Sequence, residues 1–345
     1  MADDLPIRAW QVFEYGEPSS VLRLGEVNLG DVNLGEVPLD LAHPTADHQA
    51  KKQSLVRVEV DACALNFADR LLCTGEYQEH PPLPFTPGLE AAGRRFDTGE
   101  RVLCSPALPS GGLATHCLAA STDLFPLPDD LPTTTAAAMH VTYQTGWFAL
   151  HRRAHLRAGE TLLVHAGAGG VGSAAIQLGK AAGAQVLATA GSPEKVALCL
   201  TLGADAAFDY RATDVAAAVL DHTGGRGADV VFDSVGGATF EASTKCIAWE
   251  GRILVIGAAS GTYATARTNH TLVKNYGVIG VHWGGYRTRR PDLVAQAHDA
   301  LMQLWLDGLI SPLVSEIISM ADVPAALDRL GAGATVGKIV VLPHD

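Results

Sequence analysis

The stretch Thr161 to Ala184, TLLVHAGAGGVGSAAIQLGKAAGA, restricts the folds open to this chain more than any other. An apolar run, Thr161 to Ala166, leads straight into Gly167-x-Gly169-x-x-Gly172. A helical pattern follows at once, with Val171, Ala174, Ala175, Leu178, Ala181 and Ala182 at i, i+3, i+4, i+7, i+10 and i+11. Each glycine has its own task in a strand that turns sharply into a helix. Gly167 permits the tight turn, Gly169 lets a pyrophosphate approach the backbone, and Gly172 lets the helix lie close to the strand. The first-turn N–H groups have no intrahelical acceptors and aim at an anion. The pattern therefore predicts a dinucleotide cradle made by Gly167, Ala168, Gly169, Gly170, Val171 and Gly172.

The second strand bears on which dinucleotide. An NADH site places Asp or Glu about 20 residues further on, to accept from the ribose hydroxyls. This chain reads Thr189-Ala190-Gly191-Ser192 there, with Lys195 close behind and Tyr210 and Arg211 at the end of the third strand. No acid at the strand end repels a 2′-phosphate, and basic groups are at hand to bind one. Gly191, Ser192, Lys195, Tyr210 and Arg211 are thus expected to favour NADPH through charge-assisted hydrogen bonds.

Around this motif the chain divides by texture. Residues 1 to about 130 hold short β-type runs broken by Pro and Gly, among them Leu55 to Val60, Arg101 to Cys104 and the turn-rich Pro81 to Gly88. From about residue 150, apolar strands alternate with Ala-rich helical stretches: Thr161 to Ala166, Gln185 to Ala190, Ala206 to Asp209, Val230 to Asp233, Arg252 to Ile256 and Val278 to Val281. Six strands so arranged predict an α/β fold with a doubly wound parallel sheet. A helix from Pro291 to Leu306, then SPLV at Ser311 to Val314 and GKIVVLP at Gly337 to Pro343, form a tail expected to rejoin the first domain.

Length and composition agree with two domains: 345 residues with 48% hydrophobic and 18% charged side chains supply two cores and exclude intrinsic disorder. A net charge of −12 argues against capture of nucleic acid or an anionic membrane. Six scattered cysteines without a C-x-x-C pair suggest reduced thiols and a cytoplasmic location. The start, MADDLPIRAW, lacks a basic region followed by an apolar one, so no secretory signal is expected. The longest uncharged runs carry Thr, Gln, His, Pro or repeated Gly, so no membrane span is expected. A tandem pentad, LGEVN-LGDVN-LGEVP at Leu24 to Pro38, is too short for a solenoid and is read as a surface insertion without catalytic duty.

Residues 63 to 90, CALNFADRLLCTGEYQEHPPLPFTPGLE, the stretch from His165 to Arg211, DVVFDSVGG at Asp229 to Gly237 and VIGVHWGGY at Val278 to Tyr286 together resemble the zinc-independent, zeta-crystallin-like quinone oxidoreductase branch of the medium-chain dehydrogenase/reductases. The resemblance runs over most of the chain from about residue 55. It implies a Rossmann doubly wound parallel sheet plus a GroES-like β-rich catalytic domain. On that reading residues 1–140 begin the GroES-like domain, 141–283 form the NADPH-binding Rossmann domain, and 284–345 return to complete the first. The resemblance also implies a cofactor and small-molecule substrate in the cleft between domains, and a homodimer joined near Leu272 to Val281.

Zinc relatives in this superfamily use Cys, His and a second Cys or an acid around a catalytic metal. Here Asn66 stands where the first ligand Cys would be, Leu89 replaces the His of a Gly-His-Glu motif, and no cluster of four Cys exists. No metal is expected. The remaining chemistry is hydride transfer to an acceptor that is already electrophilic, a quinone or an enone. By resemblance, Asn66 in its Asn-Phe-x-Asp stretch is a catalytic and cofactor-contacting residue near the nicotinamide or the substrate carbonyl. Tyr77 is the second catalytic candidate, as a donor of a proton or hydrogen bond. Asp69 is read as a cap, or a partner of Arg70, rather than a base. Thr145, Ile256, Gly257 and Ala258 are carried over as contacts to the nicotinamide half, and His282 and Trp283 as rim residues. RRFDTGER, between Gly93 and Val102, is shorter than the family's usual hairpin.

Three functions are open to such a chain. The first is NADPH-dependent, zinc-independent reduction of a quinone. The second is reduction of an α,β-unsaturated carbonyl or enoyl thioester by the same hydride step. The third is a non-catalytic, crystallin-like protein that only holds NADPH.

Overall fold

A computed structural model describes residues 6–29 and 54–345. The chain forms two units. The first takes the chain up to Val141, together with Arg287–Pro291 and Val314–Asp345. It opens with a hairpin of β1 (Pro6–Val12) and β2 (Leu22–Asn28), then β3 (Leu55–Ala64), β4 (Ala91–Arg95), β5 (Arg101–Pro106) and β6 (His116–Pro126). β3 pairs with β4 along Val58–Cys63 and with β6 along Leu55–Glu59, so β3, β4, β5 and β6 close on themselves. Closure brings Val58, Val60, Leu65, Phe85, Val102 and Leu113 into one core, all 2% exposed or less.

The helix Phe67–Thr74 follows β3, with Asn66 at its N-cap and the Asp69 carboxylate accepting the Asn66 N–H at 2.7 Å. Gly75, left-handed at φ 72°, ends it.

The second unit is Thr142–Tyr286 with Asp292–Leu313. Its strands are β7 (Thr161–Val164), β8 (Gln185–Ala190), β9 (Ala206–Asp209), β10 (Ala228–Asp233), β11 (Ile247–Val255) and β12 (Gly277–Gly280). They make one parallel sheet in the order β12-β11-β10-β7-β8-β9. The direction of winding reverses between β7 and β10, and in such sheets ligands gather at the carboxyl ends of the strands at that point. Leu162, Leu163, Val164, Val186, Leu187, Val230, Val231, Phe232, Ile253 and Leu254 are fully buried. Such unbroken apolar runs belong to strands covered on both faces.

β13 (Val314–Ser319) and β14 (Lys338–Leu342) complete the first unit's sheet, β14 pairing antiparallel with β3 at Cys63 and Ala64. Among the described residues no helix is long and apolar enough to cross a membrane.

Several expectations need correction. The segment 284–345 does not belong to the first unit as a whole, because the helix Pro291–Leu306 packs in the second. Gln144 Nε2 donates to Val294 O at 3.0 Å, and Gln177 exchanges two hydrogen bonds with the Ser311 backbone at 3.0 and 2.6 Å. The helix Gly170–Ala181 is buried from Gly172 through Gly179, whereas the stripe residues Val171, Ala181 and Ala182 stay partly exposed. The tail strand begins at Val314, not Ser311. The first pentad copy, Leu24–Asn28, is not an insertion but lies within β2, paired with Pro6–Trp10. Residues 30–38 of the other two copies lie outside the described residues.

One buried residue fastens the top of the sheet. His165, next after β7, meets Thr189 Oγ1 at 3.0 Å through Nδ1 and Ser243 Oγ at 2.8 Å through Nε2. Ser243 donates its own proton to Thr239 O at 2.9 Å, so Nε2 carries the imidazole proton and Nδ1 accepts from Thr189. Burial pushes the ring from 6.5 down to about 4. Below pH 6.5 the unfolded chain therefore binds a proton that the folded chain refuses until about pH 4, and stability falls as pH drops through that window. The expected result is a melting temperature that declines between pH 6.5 and 4 with His165 still neutral by NMR; a His165 resonance titrating at 6.5 would contradict it.

Candidate functional site

The glycine turn is built by exclusion of side chains. A Cβ on Gly172 would collide with the Ala166 carbonyl oxygen, and one on Gly167 would fall 2.8 Å from Cys199 Sγ. Only glycine at both places lets the helix Gly170–Ala181 start against the end of β7. Ala166 pivots the turn at φ 51°, a conformation costing an L-residue roughly 1–2 kcal/mol. The Gly169 N–H donating to Ala166 O at 3.0 Å helps to hold it. Gly167 and Ala168 are buried, and the partly exposed Gly169, Gly170 and Val171 border the open side of the turn. With Gly169 at the N-cap, the N–H groups of Gly170, Val171 and Gly172 have no intrahelical acceptor.

The ends of β8 and β9 form the neighbouring corner. The Tyr210 ring lies against Gly191, where a Cβ would sit 2.6 Å from the phenol oxygen. Ser192 caps the helix Pro193–Thr201, its Oγ accepting from Lys195 N at 3.3 Å. Lys195 is partly exposed, Tyr210 and Arg211 are exposed, and the Arg211 guanidinium stands 5.9 Å from the Tyr210 ring centre. The strand-end reading missed a carboxylate at this corner. Glu194 is held below the usual range by a hydrogen bond from the Ser192 hydroxyl and by its own N–H. It competes for that hydroxyl.

A third wall follows β10 and β11. Asp233 Oδ1 accepts the N–H groups of Val235 and Gly236, each at 2.9 Å, and so shapes the loop after β10. Ile256 N donates to Asp233 O at 2.9 Å, and Gly261 N to Ala258 O at 2.8 Å. Gly257 runs beside Ser234, whose carbonyl oxygen a Cβ would approach to 3.5 Å. The second unit thus brings the glycine turn, Gly191, Ser192, Ile256, Gly257 and Ala258 to the carboxyl ends of neighbouring strands. Thr145 lies on the helix His140–Trp147 and is partly exposed; His282 is exposed and Trp283 is buried.

In the first unit Asn66 is 7% exposed and sits in a polar cluster. Its Nδ2 donates to Glu90 Oε1 at 2.9 Å and to Ala64 O at 3.2 Å. Its Oδ1 accepts from Lys338 Nζ at 2.7 Å. Lys338 also donates to Leu65 O at 2.7 Å and to Glu90 Oε1 at 2.8 Å, while Glu90 Oε2 accepts from Val141 N at 2.7 Å. Lys338 is 4% and Glu90 0% exposed, and removing one partner of such a buried pair costs about 3–5 kcal/mol. Asp69 is a cap and not a partner of Arg70, which pairs with Glu17 instead. Beyond Asn66 N, it accepts Gly88 N at 3.0 Å and Leu89 N at 3.1 Å. Burial pushes its carboxyl up to about 6, against the pull of the Asn66 N–H and the Lys338 charge.

Tyr77 is partly buried against the same unit's core. It lies within electrostatic reach of Arg287, whose charge is opposed by burial and more than restored by Asp123 at 2.9 Å, with Glu79 and Tyr77 adding to it. Glu90, Lys338, Asp123 and Arg287 escaped the sequence reading. Only Glu90, beside the substituted Gly-His-Glu motif, left a signal there.

A catalytic zinc does not fit these residues. The Asn66 amide is engaged on both sides, Leu89 offers no donor atom, and the Lys338 ammonium fills the space bounded by Leu65 O, Asn66 Oδ1 and Glu90 Oε1. Among the described residues no group of three or more His, Cys, Asp or Glu converges.

Comparison with known proteins extends this geometry. The zinc-binding dehydrogenase family matches residues 170–299, a span that leaves out Asn66, Leu89 and Glu90. Quinone oxidoreductase-like protein 2 of Bos taurus is 36% identical over 296 residues, 83% of this chain and 84% of its own. The quinone oxidoreductase of Thermus thermophilus, solved also in complex with NADPH, is 32% identical, with a TM-score of 0.78 over 97% of this chain and 100% of that one. The CurK enoyl reductase is 26% identical, with a TM-score of 0.81 over 98% and 99%. Sequence and fold therefore agree over most of the chain, and it belongs to the quinone oxidoreductase branch of the medium-chain dehydrogenase/reductases, a family of oxidoreductases.

Proposed function

We propose that this oxidoreductase is an NADPH-dependent, zinc-independent reductase of quinones. The observation that carries the reading is the glycine turn, with partly exposed Gly170 and Val171 and a helix N-terminus at the sheet's switch point. Gly167, Ala168, Gly169, Gly170, Val171 and Gly172 would hold the pyrophosphate. Gly191, Ser192, Lys195, Tyr210 and Arg211 would receive the adenosine 2′-phosphate, while Ile256, Gly257, Ala258, Thr145 and Asn66 would flank the nicotinamide half. When bound, the reduced nicotinamide supplies a hydride to the acceptor.

The chain's own residues orient the partners and manage the proton. Two electrons and one proton arrive as hydride, so a quinone becomes a hydroquinone monoanion that needs one further proton. The Tyr77 hydroxyl is the proposed donor of that proton or of a hydrogen bond to the oxygen, and solvent restores it. A fixed dipole or charge aimed at an oxygen that gains negative charge lowers the barrier.

A second reading, reduction of an enone or enoyl thioester, draws on the enoyl reductase neighbour. A benzoquinone, a naphthoquinone and an enoyl thioester offered in turn with NADPH, followed by the absorbance of the reduced cofactor, separate the two. Faster turnover of the quinones is expected; thioester turnover alone favours the second reading, and none with any acceptor leaves a protein that only binds the cofactor.

Cofactor choice has its own test. Lys195→Ala should weaken NADPH by about 1.5–3 kcal/mol and leave NADH almost unchanged. Equal losses for the two cofactors would remove Lys195 from the phosphate site.

The proposed homodimer rests on the edge of the second unit's sheet. β12 is the terminal strand, and Leu272 and Val273, just before it, are 79% and 75% exposed. Leu272→Asp with Val273→Asp should convert a dimer into a monomer by light scattering; a dimer that persists would move the interface elsewhere.

A further inference from the structure

The cluster around Asn66 fixes more than a residue's place. A carboxamide can usually be turned over, because its oxygen and nitrogen are alike in size. Here its neighbours permit one orientation only. Lys338 has three donors and no acceptor, so the atom 2.7 Å from its Nζ must be the amide oxygen. The Glu90 carboxylate only accepts, so the atom 2.9 Å from its Oε1 must be the amide nitrogen. The second N–H points to Ala64 O at 3.2 Å. Both donors of Asn66 are engaged, which leaves Oδ1, an acceptor that meets Lys338 Nζ and also faces the Asp69 N–H across the capping box, as the one side-chain atom through which Asn66 can serve a further group.

Lys338 is equally fully used. Its ammonium donates to Leu65 O, Asn66 Oδ1 and Glu90 Oε1 at 2.7, 2.7 and 2.8 Å, with the side chain 4% exposed. Three oxygens at that range form a cage for a cation, and the cation is tethered to the chain by β14.

We infer that Lys338 is a positioning residue of the reductase: with Glu90 it locks the Asn66 carboxamide so that Asn66 presents a hydrogen-bond acceptor, and never a donor, to what binds beside it. The inference rests on the reading of Asn66 as a site residue of a reductase and deepens it. The group Asn66 serves is then a donor, a carboxamide N–H or a hydroxyl. A bare carbonyl oxygen of the acceptor must find its donor elsewhere, and Tyr77 is the candidate on the same unit.

The test compares Lys338→Ala with the double variant Lys338→Met/Glu90→Gln, which leaves no stranded charge if the single one fails to fold. In the double variant, turnover of NADPH with 1,4-benzoquinone should drop on the order of tenfold or more, as expected for loss of a charge-assisted hydrogen bond. NADPH affinity by fluorescence should fall less than turnover does, and far-UV dichroism should stay close to wild type. Methylammonium, small enough to enter the emptied cage, should restore part of the turnover of Lys338→Ala. In the wild type the two Asn66 side-chain N–H resonances should be distinct and protected from exchange, and in Lys338→Ala they should lose that protection until methylammonium is added. Folded variants that turn over like wild type would overturn the inference. So would a loss that methylammonium cannot reverse and that NADPH affinity shares in equal measure, because that pattern marks support of the fold alone. If the wild type oxidises no NADPH with any quinone, the reductase reading fails separately. The Asn66 resonances then decide: protection that needs Lys338 supports the lock, and protection unchanged without it refutes it.

Discussion

A side chain at residue 172 would run into the Ala166 carbonyl oxygen, and that steric fact organises the second unit. Because glycine is there, the helix Gly170–Ala181 begins against the end of β7 rather than a turn away. Its three unsatisfied N–H groups then gather at the place where the sheet changes its direction of winding. The strained Ala166 and the buried His165 beside it share in the same constraint, since both hold the end of β7 while the chain reverses. A phosphate-bearing coenzyme suits such a place because backbone donors need no side-chain reorganisation to receive it.

The first unit answers a different problem, how to keep polar groups in a closed apolar core. Glu90 and Lys338 are both withdrawn from water, a state that desolvation makes expensive unless every lone pair and proton is met. The Leu65 carbonyl, the Val141 N–H and the Asn66 amide meet them. A packed apolar pair would serve stability as well, so the retained charges fit a role in setting orientation.

The sequence made the second unit legible in detail and the first in outline. Glycine types, strand length and the switch to helical spacing are local signals, and β8 and β9 fall on the residues expected of them. Asp69, which caps the helix Phe67–Thr74, was readable as a cap. Lys338 was not, because its partners Asn66 and Glu90 lie 272 and 248 positions away and no local pattern records such a meeting. The helix Pro291–Leu306 was legible as a helix, but the unit it joins depends on Gln144 and Gln177, two polar residues far upstream. Glu194 lies past the strand end where a ribose-binding acid would stand, and only the Ser192 hydroxyl, a contact no strand pattern records, ties its carboxylate to the corner.

On the proposed reading the Gly167–Gly172 turn holds a phosphorylated dinucleotide. Titration calorimetry of the intact protein with NADPH tests it most directly, with Gly172→Val as the comparison. One NADPH bound per chain, and no heat from a variant that keeps its fold, is the expected result. A folded wild type that takes up no NADPH, or a folded variant that binds it as well, would contradict it.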